Sequence, residues 1–570
     1  MLNDASRRLR GSRLWVAVGL ATLGVVGCGS GEIGGNSGGG GTSPAGQAGA
    51  NGGAGTGSGT GAAGTGSQTG TGTGTAGTGS STGAGTGTAG TGSSSTGAAG
   101  TGSSSTGAAG TGGGAAGTGI AGTPKGVEVT SRDVAVDGKG TVFNVADDYF
   151  NDGFVPATPV ANFGLHAQII TAARDDGSLD VAWLDYANGK GSPWNVKTPG
   201  AIYVTHVDPS LATATTTATG LMTYKLLGFA RDDAGAFYFA YNKDHALKST
   251  AQGNQNNLNG NELHVAKQTG GTTTWDTLIF GNTDNNMDGT KGDPGGAASG
   301  VVGYDATNKK VVLYLGHSMM WTPTRHQAGF LRLLDPAAGT VIQPAGNDVI
   351  HFGSGWFYSH NFNQRLLIDN GDYYLLAHGD AYPRQLGLAK WTLKNYAGKN
   401  GSDFDQSYWT ITGNEGDNNT NAQTGQFTRL KDGRFVMAHT TSQGRAARDV
   451  RVVLADGATG KAATDGAVWL TTNKAGVNAT IAKVEQLGDA VLVTYAQWDT
   501  TKKHQLDWYV TLLDPASLAV VMPAKALTGV EFVDSAPLFR FKGGPNAGRV
   551  GWVSGNAAHT LSVHVASPAN

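Results

Sequence analysis

The densest group of potentially reactive side chains lies between residues 359 and 384, in the stretches SHNFNQR and HGDAYPR. It comprises His360, Arg365, His378, Asp380, Tyr382 and Arg384. An arginine can pair with a carboxylate or a sulfate, a histidine can accept a proton near neutral pH, and a tyrosine can return one. The same groups can also hold a polar ligand without any turnover, so these residues indicate a site but not yet its chemistry.

The elements that position these residues belong to a repeat. The same pattern occurs seven times: a short apolar strand, a turn often built on Asp-Gly, a second and strongly apolar strand, a polar loop, and a third strand that often ends in Leu-Asp. The first copy reads HAQIITAARDDGSLDVAWLDY and the fifth reads AQTGQFTRLKDGRFVMAHTT. The copies begin near His166, Tyr224, Ser299, His360, Ala422, Ala479 and Ser535.

Strands of this length, joined by hairpin turns at this period, are typical of β-propeller blades. We therefore predict an all-β fold, a seven-bladed β-propeller over residues 124–570. A sandwich with a second domain, or a parallel β-helix, fits the repeats less well. No stretch keeps a 3.6-residue apolar period over three turns. The segment 127–150 precedes the first copy, and we expect it to supply an outer strand to the last blade and so to close the ring.

In propellers the first strand of a blade begins on the face where the second strand ends, so residues at these two places surround one mouth of the central channel. This geometry predicts a ligand-binding set at that mouth: His166, Trp183, Tyr241, His317, Arg325, His326, Asp380, His439 and Trp498. Tyr495 is at an equivalent place in its blade, and Arg445 is in an adjoining loop. Histidines and arginines in propellers also bond backbone carbonyls between blades, and Asp380 with Arg384 could be a salt bridge within one loop. Both interpretations stay open for each residue.

A possible calcium loop lies in the insertion of the second repeat. Asp284, Asn286 and Asp288 are followed by Gly289, which matches the opening of a loop whose alternating oxygens face one Ca²⁺ ion. The acid expected at the twelfth position is replaced by Gly295, although Asp293 could substitute. A surface loop without an ion is the alternative, and no cofactor is required by the sequence.

The N-terminus has the pattern of an export signal. Four arginines precede an apolar run from Leu14 to Gly27, which is too short to span a membrane stably. The run ends in Val-Val-Gly and then Cys28, which is the only cysteine in the chain. This ending resembles the lipobox of bacterial lipoproteins, in which the cysteine is lipidated and becomes the first residue of the mature protein. The resemblance implies a signal peptide over residues 1–27 and a lipid anchor at Cys28. Because the next residue is Gly29 and not aspartate, it also implies the outer membrane or the cell surface.

Residues 28–123 are almost entirely Gly, Thr, Ser and Ala after the cysteine. Such a segment cannot bury enough apolar surface to offset the entropy of ordering it, so we predict a disordered tether. A random coil of this length has a root-mean-square span of roughly 50–60 Å. The sequence thus predicts a signal peptide, a long tether and one large domain.

Several classes of function find little support. The sequence contains no G-x-S-x-G elbow, P-loop, H-E-x-x-H motif or cysteine-based zinc site. The formal net charge is −2, and removal of the signal leaves a slight acidic excess, so nucleic acid is not an expected partner. The fragments WTPTRHQ and TTTWDT resemble parts of sialidase-type repeats, but the full S-x-D-x-G-x-T-W box occurs nowhere. We expect a monomer that contacts the membrane only through its lipid.

Three functions fit these observations. The first is a surface module that binds an extracellular ligand, most plausibly a polysaccharide, at the channel mouth. The second is a polysaccharide lyase acting on uronic-acid polymers, in which arginine neutralises the carboxylate while histidine and tyrosine move protons. Its catalytic residues would be His360, His378, Tyr382, Arg365 and Arg384. A glycosidase is less favoured because the mouth offers mainly Asp380 as an acid. The third function is a non-catalytic envelope scaffold for protein contacts.

Overall fold

Most repeats begin with a tight β-hairpin whose turn contains a glycine, and in the third repeat Lys309 takes the positive φ instead. In the first repeat Gly177 has a φ of 87°, and in the fifth Gly433 has a φ of 88°, a left-handed conformation that glycine adopts without steric cost. The aspartate before each glycine accepts a hydrogen bond from the backbone N–H that follows it: Ser178 N to Asp176 Oδ1 is 2.8 Å, and Arg434 N to Asp432 Oδ1 is 3.0 Å. The Asp-Gly turns of the first and fifth repeats are therefore hairpins of the fold.

The computed structural model describes residues 122–136, 169–185, 199–223, 226–243, 262–280, 297–321, 324–342, 355–358, 362–379, 385–398, 407–410, 423–442, 444–501, 504–530, 536–556 and 560–569. Within these ranges the strands form seven antiparallel sheets, which are the seven blades of a β-propeller. All of them lie in one compact unit, Thr101–Asn570. The predicted all-β, seven-bladed fold is confirmed.

The first four blades follow one another along the chain. Blade 1 consists of β2 (Ile169–Ala173), β3 (Leu179–Asp185), β4 (Gly200–Val207) and β5 (Ala214–Thr223). Blade 2 consists of β6 (Leu226–Arg231), β7 (Phe237–Lys243), β8 (Glu262–Thr269) and β9 (Thr272–Phe280). Blade 3 consists of β10 (Ala297–Asp305), β11 (Lys310–Trp321), β12 (Thr324–Leu334), β13 (Val341–Ile342) and β14 (Gly355–Tyr358), which also pairs with β12. Blade 4 consists of β15 (Phe362–Asp369), β16 (Asp372–Gly379), β17 (Gln385–Thr392), the short helix α1 (Leu393–Gly398) and β18 (Ser407–Thr410).

The remaining three blades complete the ring. Blade 5 consists of β19 (Gln423–Arg429), β20 (Phe435–Thr441), β21 (Asp449–Ala455) and β22 (Ala462–Trp469). Blade 6 consists of β23 (Val477–Leu487), β24 (Ala490–Asp499), β25 (His504–Leu513) and β26 (Val520–Leu527). Blade 7 consists of β27 (Phe539–Arg540), β28 (Val550–Asn556), β29 (Thr560–Ala569) and the N-terminal strand β1 (Gly126–Ala135). Each first strand begins within four residues of its predicted start.

The ring closes through the two ends of the domain. β1 pairs antiparallel with β29, from Gly126 opposite Ala569 to Ala135 opposite Thr560. The expectation that the segment before the first repeat supplies the outer strand of the last blade is therefore confirmed for β1. His564 of β29 strengthens the junction, because its Nδ1 lies 2.7 Å from Ser131 Oγ and its Nε2 lies 2.8 Å from Ser554 Oγ.

The first strands form the inner wall of the ring, since those of neighbouring blades contact one another. Glycines permit this close approach. A Cβ atom at Gly228 of β6 would lie 2.6 Å from the backbone nitrogen of Val302 in β10, and one at Gly425 of β19 would lie 2.1 Å from the carbonyl oxygen of Ala482 in β23. The fold therefore has two distinct ends. We call the end where first strands begin and second strands end the mouth end, and the opposite end the hairpin end.

The turns that join third and fourth strands explain the repeated Leu-Asp pairs. Asp335 Oδ1 accepts hydrogen bonds from the backbone N–H groups of Ala337 and Ala338, at 2.8 and 2.9 Å. Asp514 does the same for Ala516 and Ser517, at 3.0 and 2.9 Å. An aspartate that caps a turn in this way makes the hairpin locally determined.

Candidate functional site

Six positions singled out from the sequence are equivalent in the ring. At the mouth end, the second strand of a blade places one aromatic or histidine residue opposite the beginning of the first strand. The pairs are Ile169 with Trp183, Leu226 with Tyr241, Ala297 with His317, Phe362 with His378, Thr424 with His439, and Asn478 with Trp498. The ladder register thus brings these positions to one level around one end of the ring.

In blades 1 and 2 these side chains pack the blade itself. Trp183 is fully buried, donates from Nε1 to Thr205 Oγ1 at 2.9 Å, and stacks on Tyr203 with ring centroids 4.8 Å apart. Tyr241 is also fully buried and donates its hydroxyl to Asp276 Oδ2 at 3.0 Å. Burial and the neighbouring Asp276 carboxylate raise the pKa of Tyr241. A ring without exposed surface cannot stack on a sugar, so both contacts are structural.

Arg365 joins two blades. Its Nε donates to the carbonyl oxygen of Gly425 at 2.9 Å and its Nη2 donates to that of Thr424 at 3.4 Å, both on the first strand of blade 5. A third bond runs from Nη1 to Gln364 O at 3.2 Å. This is the interblade role that arginines commonly have in propellers. A catalytic role for Arg365 would have to coexist with these bonds.

Blade 5 has a polar mouth end. His439, Arg451 and Trp469 lie directly opposite one another on β20, β21 and β22. Burial, together with the nearby charge of Arg451, lowers the pKa of His439 to about 3. The imidazole is therefore neutral at physiological pH. His439 Nδ1 is buried and has no hydrogen-bond partner within the described ranges.

Arg445 also lies over the Trp469 ring of this blade. Its guanidinium carbon is 4.6 Å from the ring centroid, and that of Arg451 is 5.3 Å away. Arg445 forms an ion pair with Asp449 through Nε, and its Nη2 donates to the carbonyl oxygen of Thr471 at 3.0 Å. Two guanidinium groups are thus held against one indole at the mouth end.

Two buried residues of blade 6 complete the described mouth positions. Trp498 is 2% exposed, and Tyr495 is stacked on Tyr509 with ring centroids 5.1 Å apart. Burial raises the pKa of Tyr495 to about 12. Like Trp183 and Tyr241, these rings belong to the packing of a blade.

The other sequence-derived site residues fall outside what the structure describes. Residues outside the described ranges are Cys28, His166, Asp284, Asn286, Asp288, His360, Asp380, Tyr382 and Arg384. Residues with a described backbone but no described side chain are His317, Arg325, His326 and His378. In the described ranges, no group of three or more His, Cys, Asp or Glu residues could hold a metal ion. The catalytic, ligand-binding, calcium-binding and lipidation roles of these undescribed residues stay predictions.

The sequence analysis missed a charged cluster at the mouth end of blade 2. Asp276 of β9 accepts hydrogen bonds from Tyr241, from His264 Nδ1 at 3.1 Å, and from Lys243. His264 Nε2 lies 3.0 Å from Glu262 Oε2. Burial alone would raise the pKa of Asp276, but the bonds and charges of His264 and Lys243 lower it to about 2. The alternation Glu-x-His on one strand was the available signal.

Side chains of the first strands also make contacts between blades that the sequence did not indicate. Gln426 of blade 5 donates from Nε2 to Leu538 O at 2.9 Å and accepts from Leu538 N at 2.8 Å, although Leu538 belongs to blade 7. Glu485 of β23 is fully buried and pairs with Arg540 of β27 at 3.1 Å. The first contact joins blade 5 to blade 7 past blade 6, and the second joins the neighbouring blades 6 and 7.

Comparisons with known proteins give only distant structural similarities. No family model and no curated protein matches the sequence. Among solved structures, the Dos1 propeller is similar with 9% identity over 65% of this chain and 76% of that one, at a TM-score of 0.33. The sialidase of Trypanosoma rangeli bound to sialic acid gives 8% identity over 77% of this chain but only 58% of its own length, at a TM-score of 0.36. An α-L-arabinofuranosidase of Fusarium graminearum has 10% identity over 60% of this chain and 92% of its own length, at a TM-score of 0.34.

No helix in the described ranges is long and apolar enough to cross a membrane. The class of protein that fold and site define is a seven-bladed β-propeller with histidine, arginine and aromatic residues at the mouth end of its blades.

Proposed function

We propose that this chain is a lipid-anchored β-propeller that binds an extracellular polysaccharide at the mouth end of the ring. The observation that carries the proposal is the mouth end of blade 5, where the guanidinium groups of Arg445 and Arg451 lie against the partly exposed ring of Trp469. Rings and guanidinium groups are the side chains that hold sugars and their acidic substituents.

The entry point of the chain supports display of the mouth. Gly122 N donates to Asp489 Oδ2 at 2.9 Å, and Asp489 N donates to Gly122 O at 3.1 Å. Asp489 lies in the hairpin between β23 and β24, at the hairpin end of blade 6. β1 then runs from the hairpin end toward the mouth end. The described chain therefore enters the ring at the end opposite the proposed binding site.

The first test is retention of the full-length protein, in detergent, on a panel of immobilised neutral, carboxylated and sulfated polysaccharides. We expect at least one polymer to retain it. Arg384→Ala, at the predicted mouth loop, should weaken that retention, whereas Lys461→Ala, an exposed residue at the hairpin end, should not. Absence of retention on every polymer, or equal loss with both variants, would remove polysaccharide binding at the mouth and leave the scaffold.

The anchor has its own test. Cys28→Ser should abolish incorporation of radiolabelled palmitate and release the protein from the membrane fraction of cells, while the propeller remains folded. Labelling that persists in the variant would contradict the assignment of the lipid to this cysteine.

A further inference from the structure

Two consecutive rows of side chains on blade 5 face blade 4 and differ in polarity. Phe427, Met437, Val453 and Ala467 lie opposite one another across β19 to β22, and they pack in one cluster with Leu376, Leu386 and Leu388 of blade 4. Two residues closer to the mouth on β20, β21 and β22, the same face carries His439, Arg451 and Trp469.

The polar row is completed by Thr424, which lies directly opposite His439. Opposite residues of an antiparallel pair project to one face of the sheet with Cβ atoms about 5 Å apart. The apolar row thus closes the contact between blades 4 and 5, and the row Thr424, His439, Arg451 and Trp469 lies above it at the mouth end. We call these four residues the blade 5 row.

Two atoms at the inner end of the blade 5 row are buried polar groups without a partner. Thr424 Oγ1 and His439 Nδ1 make no hydrogen bond within the described residues, although Thr424 and His439 are only 1% and 2% exposed. Buried polar atoms in folded proteins almost always have a partner, so such a pair calls for an explanation. A hydroxyl group placed between them would bond to both.

The outer end of the row is half-buried and cationic. Arg451 and Trp469 retain partial exposure. The indole of Trp469 lies within 5.3 Å of the Arg451 guanidinium carbon and within 4.6 Å of that of Arg445. Contact with an aromatic face restricts a long side chain, so less entropy is lost when it binds an anion. The row therefore has the buried Thr424 hydroxyl and His439 imidazole at its inner end and the positively charged Arg451 guanidinium towards its outer end.

We infer that the blade 5 row is a subsite for an anionic sugar unit, with a sugar hydroxyl at Thr424 and His439 and a carboxylate or sulfate at Arg451. This inference rests on the proposed function and names the class of polysaccharide that it takes. A sugar bearing its acidic group within a few ångströms of a ring hydroxyl matches the spacing of neighbouring strands, about 4.8 Å. A neutral polymer would leave Arg451 without a counter-ion from the ligand.

The test compares the affinity of the full-length protein, measured by calorimetry in detergent, for polygalacturonate, a sulfated galactan and neutral galactan. Arg451→Gln should weaken binding of the anionic polymer by about tenfold or more, and Arg451→Lys should restore part of it. Arg132→Gln, on the exposed outer strand β1, is the matched control and should change nothing. Whichever anionic polymer binds identifies the acidic group as carboxylate or sulfate.

Thr424→Val separates recognition from folding. Removing a buried hydroxyl that lacks a partner should raise the urea midpoint of unfolding, while the affinity for the anionic polymer falls about threefold. Thr494→Val on blade 6 removes another buried hydroxyl without a described partner and should give the same stability gain with unchanged affinity.

The outcomes distinguish the inference from the proposed function. Binding of neutral galactan alone, or anionic binding that Arg451→Gln and Thr424→Val leave intact, would overturn the blade 5 subsite while polysaccharide binding stands. Failure of all polymers to bind would remove both.

Discussion

The two ends of the ring use charged and polar side chains differently. At the hairpin end, charges pair between neighbouring blades. The pairs are Arg231 of blade 2 with Asp180 of blade 1, Arg429 of blade 5 with Asp369 of blade 4, and Arg540 of blade 7 with Glu485 of blade 6. At the mouth end of blade 5, Thr424 Oγ1 and His439 Nδ1 lack a described partner instead.

This difference separates the parts of the propeller that hold blades together from the parts that can receive a ligand. A buried charge without its counter-ion is costly. Removing one partner of an interblade pair should therefore destabilise the ring. A buried hydroxyl or imidazole without a partner lowers stability, and its retention is understandable where a ligand supplies the partner. Changes at the hairpin end should therefore affect folding, and changes in the blade 5 row should affect binding.

The largest effect is expected from Arg540→Met at the hairpin end. Glu485 would then be buried without its counter-ion, which should lower the free energy of unfolding by about 3–5 kcal/mol. Urea unfolding followed by tryptophan fluorescence measures this. The double variant with Glu485→Gln should recover most of the loss. A loss below about 1 kcal/mol in the single variant would mean that the pair does not hold blades 6 and 7 together.

A second comparison uses one glycine from each end of blade 5. Gly425→Ala near the mouth would place a Cβ atom 2.1 and 2.3 Å from the carbonyl oxygens of Ala482 and Ala438, and backbone cannot yield easily. We expect destabilisation at the upper end of about 1–3 kcal/mol. Gly433→Ala in the hairpin meets only the end of the Arg429 side chain, 3.7 Å away, and its positive φ should cost about 1 kcal/mol. Equal losses in thermal unfolding would show that blades 5 and 6 separate readily.

The pH dependence of stability sharpens the comparison at His439. Burial and Arg451 lower its folded pKa to about 3, against 6.5 for an ordinary histidine. Between these values the unfolded chain binds a proton that the folded chain does not, so stability falls as pH falls from 6.5. The slope attributable to His439, taken as wild type minus His439→Gln, should be about 1.4 kcal/mol per pH unit. His564 at the ring closure has a pKa lowered to about 4 by burial. The slope attributable to His564 should therefore end about one pH unit above the end of the slope for His439.

An anionic ligand provides the corresponding control. If it binds beside Arg451, its negative charge raises the folded pKa of His439, so the pH at which this histidine's slope ends should be higher when the ligand is present. An unchanged end point at saturating ligand would place the anion elsewhere on the mouth.

The architecture was predictable because its determinants are local. Asp-Gly turns with glycine at positive φ, and aspartates that cap the turns after third strands, are readable within a few residues. The closing strand was predictable because one apolar segment remained before the first repeat. The positions of Trp183, Tyr241 and His439 at the mouth end were predictable from the same repeat, because each lies near the end of a second strand.

The environment of those side chains was not predictable. Arg365 bonds Gly425 and Glu485 pairs with Arg540, each about 55–60 residues away in sequence, and only the packing of one blade on the next makes these contacts. The side to which Thr424 projects depends on a bulge between Thr424 and Phe427 that shifts the strand by one residue. No periodicity in the sequence reveals that shift.

The smallest effect concerns the place where the chain enters the ring. Lys431 donates to Asp489 Oδ1 at 2.9 Å, and Asp489 also bonds Gly122, but both side chains are more than 40% exposed. Lys431→Gln should therefore lower the free energy of unfolding by only about 0.2–1 kcal/mol, and less at high salt. Hydrogen exchange at Asp489 and Gly122 should accelerate in the variant while exchange in the blade 5 row stays unchanged. Acceleration at Thr424 or His439 would couple the two ends and contradict their separation into a structural end and a binding end.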